Sequence, residues 1–302
     1  MSLNSPFDRA QFFMTLRKHL KKYPVLVAAK RKLSGIRFQG ALRGKTSVDL
    51  INTFPMFKPY SAGTYKELAT LTILSINQTV PNLLRLAKTT SPNKKTLLRP
   101  IAAFADTTEK QTAAQTLKKC FDQYGSDKGA HDYHYLYGPI LINRDVSVIL
   151  EIGLGTNNTD VVSNMGARGK PGASLRAFKE FTGAKIYGAD VDKRVLFQEP
   201  GIETFHVDQT DVGSFEVLAR NVPSAFDLVI DDGLHSTNAN LATLEFGIMR
   251  IRERGWVIIE DIGRPALPLW ELVSHLLPST LECHLFENPH GTIVFAAQKV
   301  SK

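Results

Sequence analysis

The chain has 302 residues, 43% of them apolar and 22% charged, and its 37 basic side chains outnumber its 29 acidic ones for a net charge of +8. That composition is ordinary for a globular protein with room for one large domain or two modest ones. No apolar run reaches membrane-spanning length, because the longest candidate is interrupted by Asn77, Gln78 and Pro81.

The first residues, "MSLNSPFDRAQFFM", lack the basic-then-apolar layout of a signal peptide and carry no myristoylation glycine. Cys120 and Cys283 lie far apart and give neither a disulfide framework nor zinc spacing, so a reducing cytoplasm is the expected setting. The charge is uneven. Residues 16–45 hold many basic residues and no acid. Such a segment suits nucleic acid, an anionic membrane surface or a phosphate-bearing substrate, and equally a solvated helix face.

Residues 1 to about 112 show no strand periodicity and read as a mainly helical, basic region. Phe13, Leu16 and Leu20 recur at helical spacing up to Pro24. "TYKELATLTILSIN" and "VPNLLRLAK" predict two further helices, and residues 89–96 a linker. From residue 113 the pattern changes. "AAQTLKKCFDQYG" predicts a helix ending at Gly125. Short Val/Ile/Leu-rich strands then follow at 146–153, 184–190, 203–208, 226–232, 255–261, 281–287 and 292–298. Between them lie helical stretches, one of which carries Leu241, Leu244, Ile248 and Ile251 on one face. Alternation of this kind predicts an α/β domain with a mostly parallel sheet of seven strands. The last two strands are joined by too short a loop for a crossover helix, so they should form an antiparallel hairpin.

Several strand ends carry candidate site residues. "ILEIGLG" presents Glu151 followed by Gly153 and Gly155, a tight turn that lets backbone approach a ligand. Asn158 stands where a dinucleotide fingerprint needs glycine, so a phosphate cradle is poorly supported. Asp190, with Asp192 just beyond, could accept both hydroxyls of a ribose. Asp208 and Gln209 stand where an adenine edge could sit. Together these ends point to a nucleoside site. The 17 residues of "TNNTDVVSNMGARGKPG" are too many for a simple turn, and should fold over the cofactor or shape an acceptor pocket. "SDKGAHDYHYLY" could cross the cofactor, with Lys128 meeting its carboxylate, His131 and Tyr133 lining the pocket, and Tyr137 packed on the sheet. "FDLVIDDGLHS" sets Asp231 and Asp232 side by side with His235 three positions on. Two adjacent carboxylates are tolerated on a solvated turn, or where a cation stands between them.

The motifs "YGSDKGAHDYHYLY", "ILEIGLG", "IYGADVD", "VDQTD", "FDLVIDDGLH" and "GWVIIEDI" occur in that order. Together they resemble S-adenosylmethionine-dependent, metal-dependent sugar O-methyltransferases of the macrolide deoxysugar (mycinamicin) type, over roughly residues 120–300. The resemblance implies a Rossmann-like class I methyltransferase fold for residues 113–302. It implies Asp232 and Asp261 as ligands of magnesium or manganese, with Glu260, water or acceptor hydroxyls completing the ion, and His235 as general base. Asp231 would then face the cofactor's positive groups. The implied partner is a small-molecule or glycoside acceptor. A homo-oligomer is expected, with residues 16–45 available to an anionic surface. Leu234 and Ala239 depart from the family's usual Ser and His. Two other readings stay open. One is an RNA methyltransferase gripping its substrate with the basic N-terminal third, though no amino-methylation motif or stacking array is present. The other is a non-catalytic binding protein on the same fold. A dehydrogenase fits less well, given the glycine pattern.

Overall fold

The computed structural model describes residues 65–91, 96–142 and 145–300, with side chains from residue 78 onward. The basic segment 16–45, the helix expected to end at Pro24 and most of the N-terminal third lie outside the described residues. The chain divides into two compact units, residues 1–79 and 80–302.

Helix α1 spans Tyr65–Thr90 as one element, where the sequence predicted two. Pro81 lies inside it. A proline deletes one backbone hydrogen bond, which weakens a helix locally without ending it when helical spacing resumes beyond it. Strand β1, Leu98–Pro100, follows in a region read as strand-free. With three residues it is too short to show alternation, and its partner supplies the pairing. Helix α2, Thr108–Tyr124, is capped by the Thr107 side chain accepting from the Lys110 amide. It stops at Gly125, whose φ of 74° is the left-handed conformation of a helix terminus. Helix α3, His134–Leu141, crosses α2 so closely that a Cβ on Gly138 would sit 2.6 Å from Ala114 backbone.

The remaining elements alternate as predicted. Strand β2 (Val148–Ile152), helix α4 (Ala173–Thr182), β3 (Lys185–Asp190), β4 (Gln198–Glu199), β5 (Ile202–His206), α5 (Val212–Asn221), β6 (Phe226–Asp231) and α6 (Thr237–Ile248) lead to β7 (Ile251–Ile262). Helix α7 (Leu267–Leu276) and the strands β8 (Leu281–Glu287) and β9 (Ile293–Lys299) complete the fold. Helix α6 ends earlier than the apolar spacing implied, and Ile251 belongs to β7 rather than to the helix face. Ile251 pairs with Phe226, and a register shift follows before Leu228 meets Trp256, so "IRERG" runs along the strand through a bulge.

The sheet has nine strands in the order β1-β8-β9-β7-β6-β2-β3-β5-β4, two more than expected because β1 and the two-residue β4 extend its edges. Its central seven strands are parallel except β9, which runs antiparallel to both β7 and β8 as the hairpin argument required. This order, with β2 central and an inserted antiparallel strand near one edge, is the class I methyltransferase fold. Along β2 and β6 successive residues enter opposite layers. Ile149, Leu228 and Ile230 join Phe121, Tyr137 and Phe178 on one face, whereas Leu150, Ile152 and Val229 join Phe215, Leu244 and Trp270 on the other. Burial on both faces explains why these strands read as continuous apolar runs rather than alternating ones. It also leaves their carboxyl ends as the natural opening for a ligand.

Candidate active site

A cavity of about 1040 Å³ opens at those carboxyl ends. Strands β6 and β7 run side by side with Asp231 opposite Ile259, so Asp232, just past β6, and Asp261, in the last residues of β7, emerge together at the rim. His235 Nε2 lies 3.9 Å from Asp232 Oδ1 and 3.9 Å from Asp261 Oδ2. One donor atom from each of the three side chains falls within 4.8 Å of the others, and all three residues line the cavity. Side-chain exposures are 25% for Asp232, 30% for Asp261 and 32% for His235, open enough for a ligand to reach them. His235 and Asp261 hold φ values of 55° and 53°, which non-glycine residues adopt at a cost of order 1–3 kcal/mol. A fold keeps such conformations where the surroundings fix them.

Beneath this group lies a buried ionic cluster. Lys128, 1% exposed, donates to Asp232 Oδ2 at 2.7 Å and Glu260 Oε2 at 2.6 Å. Its ammonium is also 3.2 Å from Glu151 Oε1, an ion pair without hydrogen-bond geometry, since that oxygen has no hydrogen-bond partner. Burial alone would lower the Lys128 pKa, but Asp232, Glu260 and Glu151 outweigh it and hold the group firmly charged. Burial pushes Glu260 well above the usual carboxylate range, with Lys128 pulling it back. Tyr137 donates to the other oxygen of Glu260. Two candidate site residues stand in this cluster. Lys128, expected to meet a cofactor carboxylate, borders the cavity and pairs with two buried acids, Glu151 and Glu260, and with Asp232 at the rim. Glu260, a candidate extra ligand, has both oxygens engaged inside the protein.

The strand ends read as the nucleoside half are arranged differently. Glu151 is fully buried and accepts from Ser174 at 2.6 Å, so it supports the interior rather than presenting an acid to the cavity. Asp190 lines the cavity, yet its Oδ2 accepts from the Leu154 amide and its Oδ1 from the Asp192 amide, each at 2.8 Å. Asp192 is held by Arg194, Thr156 and Asn158, and the Arg194 hydrogen bond draws its carboxyl well below the usual range. Asp208 also lines the cavity and accepts from the backbone and hydroxyl of Thr210. Gln209 borders the cavity, but its amide donates to Asp231 and Thr243 and accepts from the Leu234 amide. Asp231, expected to face the cofactor, has no exposed surface. It accepts from Gln209, Asn240 and the Gly233 amide, and thereby shapes the turn that carries Asp232 and His235. The adjacent acids of the opening motif are therefore separated by direction, with Asp231 turned into the core and Asp232 toward the rim.

Gly153 and Gly155 both sit on the cavity wall with φ of 102° and 77°. What they make room for is protein. A Cβ at 153 would lie 1.9 Å from the Asp232 carbonyl, and one at 155 would lie 2.4 Å from the Met165 methyl group. Met165 belongs to the long loop before α4, and Thr156, Asp160–Met165 and Arg168–Lys170 of that loop line the cavity. His131 packs edge-on against Tyr133 and His290 and does not reach the cavity lining. Tyr133 is buried and donates to Asp261 Oδ1 at 2.5 Å. Sequence reasoning missed this bond, and missed Asn240, Thr243 and Ser174 as supports. Tyr133 had a signal in its motif, whereas the other three look like ordinary helix residues.

No family model matches the sequence. Three curated proteins do. An 8-demethyl-8-alpha-L-rhamnosyl tetracenomycin-C 2'-O-methyltransferase of Streptomyces olivaceus is 29% identical over 49% of this chain and 38% of its own length. The demethylmacrocin O-methyltransferase of Streptomyces fradiae and the mycinamicin VI 2''-O-methyltransferase of Micromonospora griseorubida are each 37% identical over 30% of this chain and 23% of their own. The similarity is to sugar O-methyltransferases. It agrees with the resemblance read from the motifs. The chain spans well under half the length of these relatives. Among solved structures, the MycE methyltransferase of the mycinamycin biosynthetic pathway, in complex with Mg, SAH and mycinamycin VI, is 24% identical. That match has a TM-score of 0.49 over 61% of this chain and 53% of the other. No helix among the described residues is long and apolar enough to cross a membrane.

Proposed function

We propose that the protein transfers a methyl group from S-adenosylmethionine to a hydroxyl of a saccharide or glycoside, with a divalent ion and His235 as general base. The observation that carries this reading is the convergence of Asp232, His235 and Asp261 within 4.8 Å at the rim of the cavity. The cavity volume is at the upper end for ligand pockets, which leaves room for a nucleoside cofactor and a second molecule. The three named relatives support the acceptor class, since each name describes an O-methyltransferase and the first names a rhamnosyl acceptor.

Two hard carboxylate oxygens, completed by water or acceptor hydroxyls, suit magnesium or manganese. Bound there, such an ion supplies charge that lowers the pKa of an acceptor hydroxyl and orients it. Asp232 and Asp261 are the residues that would hold it. The His235 imidazole would take the acceptor's proton as the hydroxyl oxygen bonds to the methyl carbon and that carbon's bond to the sulfonium sulfur breaks, with S-adenosylhomocysteine as the leaving group. Gly153, Gly155, Asp190, Asp208 and Gln209 line the part of the cavity assigned to the cofactor, where strands β2, β3 and β5 end. The loop of residues 156–172 forms the facing wall and excludes water. The activity is assigned to the α/β portion, read from the sequence as residues 113–302, together with the β1 and α2 residues that join it. The N-terminal region is assigned to homo-oligomer assembly, acceptor contact or an anionic surface.

One observation favours a second role for His235. Its Nε2 is equally distant from both aspartate oxygens, which is also the placement of a third metal ligand. Calorimetric titration with S-adenosylmethionine, then a methyl-transfer screen over glycosides, nucleotide sugars and RNA with mass detection, tests the main reading. A protein that binds no S-adenosylmethionine loses it. Transfer only to RNA replaces the acceptor class.

A further inference from the structure

The two candidate metal-holding aspartates share a feature that their positions in sequence do not reveal. Each has one oxygen directed at His235 Nε2 and the other already taken. Asp232 Oδ2 accepts from Lys128 at 2.7 Å, leaving Oδ1 at the rim. Asp261 Oδ1 accepts from the Tyr133 hydroxyl, leaving Oδ2 at the rim. The two donors come from one short segment, residues 128–133, and Lys128 Nζ lies 5.8 Å from the centre of the Tyr133 ring. Both side chains are 1% exposed, so neither donor has water as an alternative partner.

We propose that Lys128 and Tyr133 are positioning residues that restrict each aspartate to a single oxygen toward the ion. The inference rests on the metal-assisted reading above and adds to it the residues that set the geometry. A carboxylate with both oxygens free can rotate and chelate an ion with both, which fills coordination positions that an acceptor hydroxyl needs. A fixed donor on one oxygen prevents the rotation and directs the other oxygen outward. Partners that hold a metal's ligands in this way typically account for 10–100-fold in metal affinity. Lys128 does this with a full charge and also neutralises part of the acid cluster. Tyr133 does it with a neutral hydroxyl, which makes it the cleaner side chain to test.

The test is a titration of the full-length, metal-free protein with Mn²⁺ up to millimolar concentration, without acceptor, following free Mn²⁺ by electron paramagnetic resonance. Tyr133→Phe keeps the buried ring and removes only the donor. The expected result is Mn²⁺ affinity weakened about 10-fold, with S-adenosylmethionine affinity and circular dichroism unchanged. In an Asp261→Asn background, where the partner carboxylate is gone, Tyr133→Phe should produce no further loss. Unmoved Mn²⁺ affinity in the single variant overturns the inference. An equal loss in both backgrounds also overturns it, because Tyr133 would then act through general packing. If the unmodified protein takes up no Mn²⁺ while still binding S-adenosylmethionine, the metal-assisted reading itself falls and the inference goes with it. Metal uptake with an unresponsive Tyr133 removes the inference alone.

Discussion

The two sides of the cavity are built from the same kind of material and use it differently. Where β6 and β7 end, Asp232 and Asp261 each keep one oxygen at the rim beside His235. Where β2, β3 and β5 end, Glu151, Asp190, Asp192 and Gln209 spend their polar atoms on the chain itself. A strand-end acid is therefore not a reporter of function by position alone. What separates the two sides is how many internal donors each carboxylate has. On the proposed function the first side carries the chemistry and the second is a scaffold whose surface receives the cofactor.

The contrast breaks first if the ion is dispensable. Chelation should abolish methyl transfer while leaving S-adenosylmethionine bound, and added magnesium should restore turnover. Full activity after chelation, checked by mass detection of product, would make both aspartates structural. The next largest effect belongs to Lys128→Met, which leaves Glu151, Glu260 and Asp232 without their cation. Removing one partner from a buried ionic group costs about 3–5 kcal/mol, so the midpoint of denaturant unfolding should fall sharply. A midpoint near that of the unmodified protein would show that the cluster neutralises itself by protonation.

His235→Ala should lower turnover about 100-fold or more with cofactor affinity intact. Measuring Mn²⁺ affinity in the same variant divides the two roles. A general base leaves it unchanged, and a third ligand weakens it. The smallest effect is expected on the scaffold side. Asp190→Asn swaps an acceptor of two backbone amides for a group with one acceptor oxygen, a loss of about 1–3 kcal/mol in unfolding free energy. Cofactor affinity should fall with it, since the Leu154 and Asp192 backbone shapes that wall. A stable variant with weakened cofactor binding would instead return Asp190 to direct ribose contact.

Much of this was legible in the chain. Apolar strands of the right length alternating with helices gave the parallel sheet, and the short final loop gave the antiparallel hairpin. The positions of Asp232, His235 and Asp261 at adjacent strand ends were readable from motif order. Other features were not. Asp231 and Asp232 are identical in the sequence, and only the Gln209, Asn240 and Gly233 donors waiting in the core decide which one turns inward. Lys128 was expected to meet a cofactor carboxylate because its three partners, on β2, on β7 and just past β6, lie far along the chain. Strand β1 escaped notice because three residues carry no period, and α6 was read too long because apolar spacing continued across the turn into β7.

Gly153 ties the two sides to one another. Its amide donates to the Ala189 carbonyl of β3 at 2.8 Å, and the Asp232 amide donates to the neighbouring Ile152 carbonyl at 2.8 Å. The space where its side chain would stand is filled by the Asp232 carbonyl. The turn after β2 and the turn after β6 are thus a single joint, with no slack between them. An inserted methyl group there would act as a wedge, tilting the Asp232 turn away from β2 and displacing His235 with it. On the proposed function, cofactor and acceptor would then be held at the wrong separation even with every proposed site residue still present.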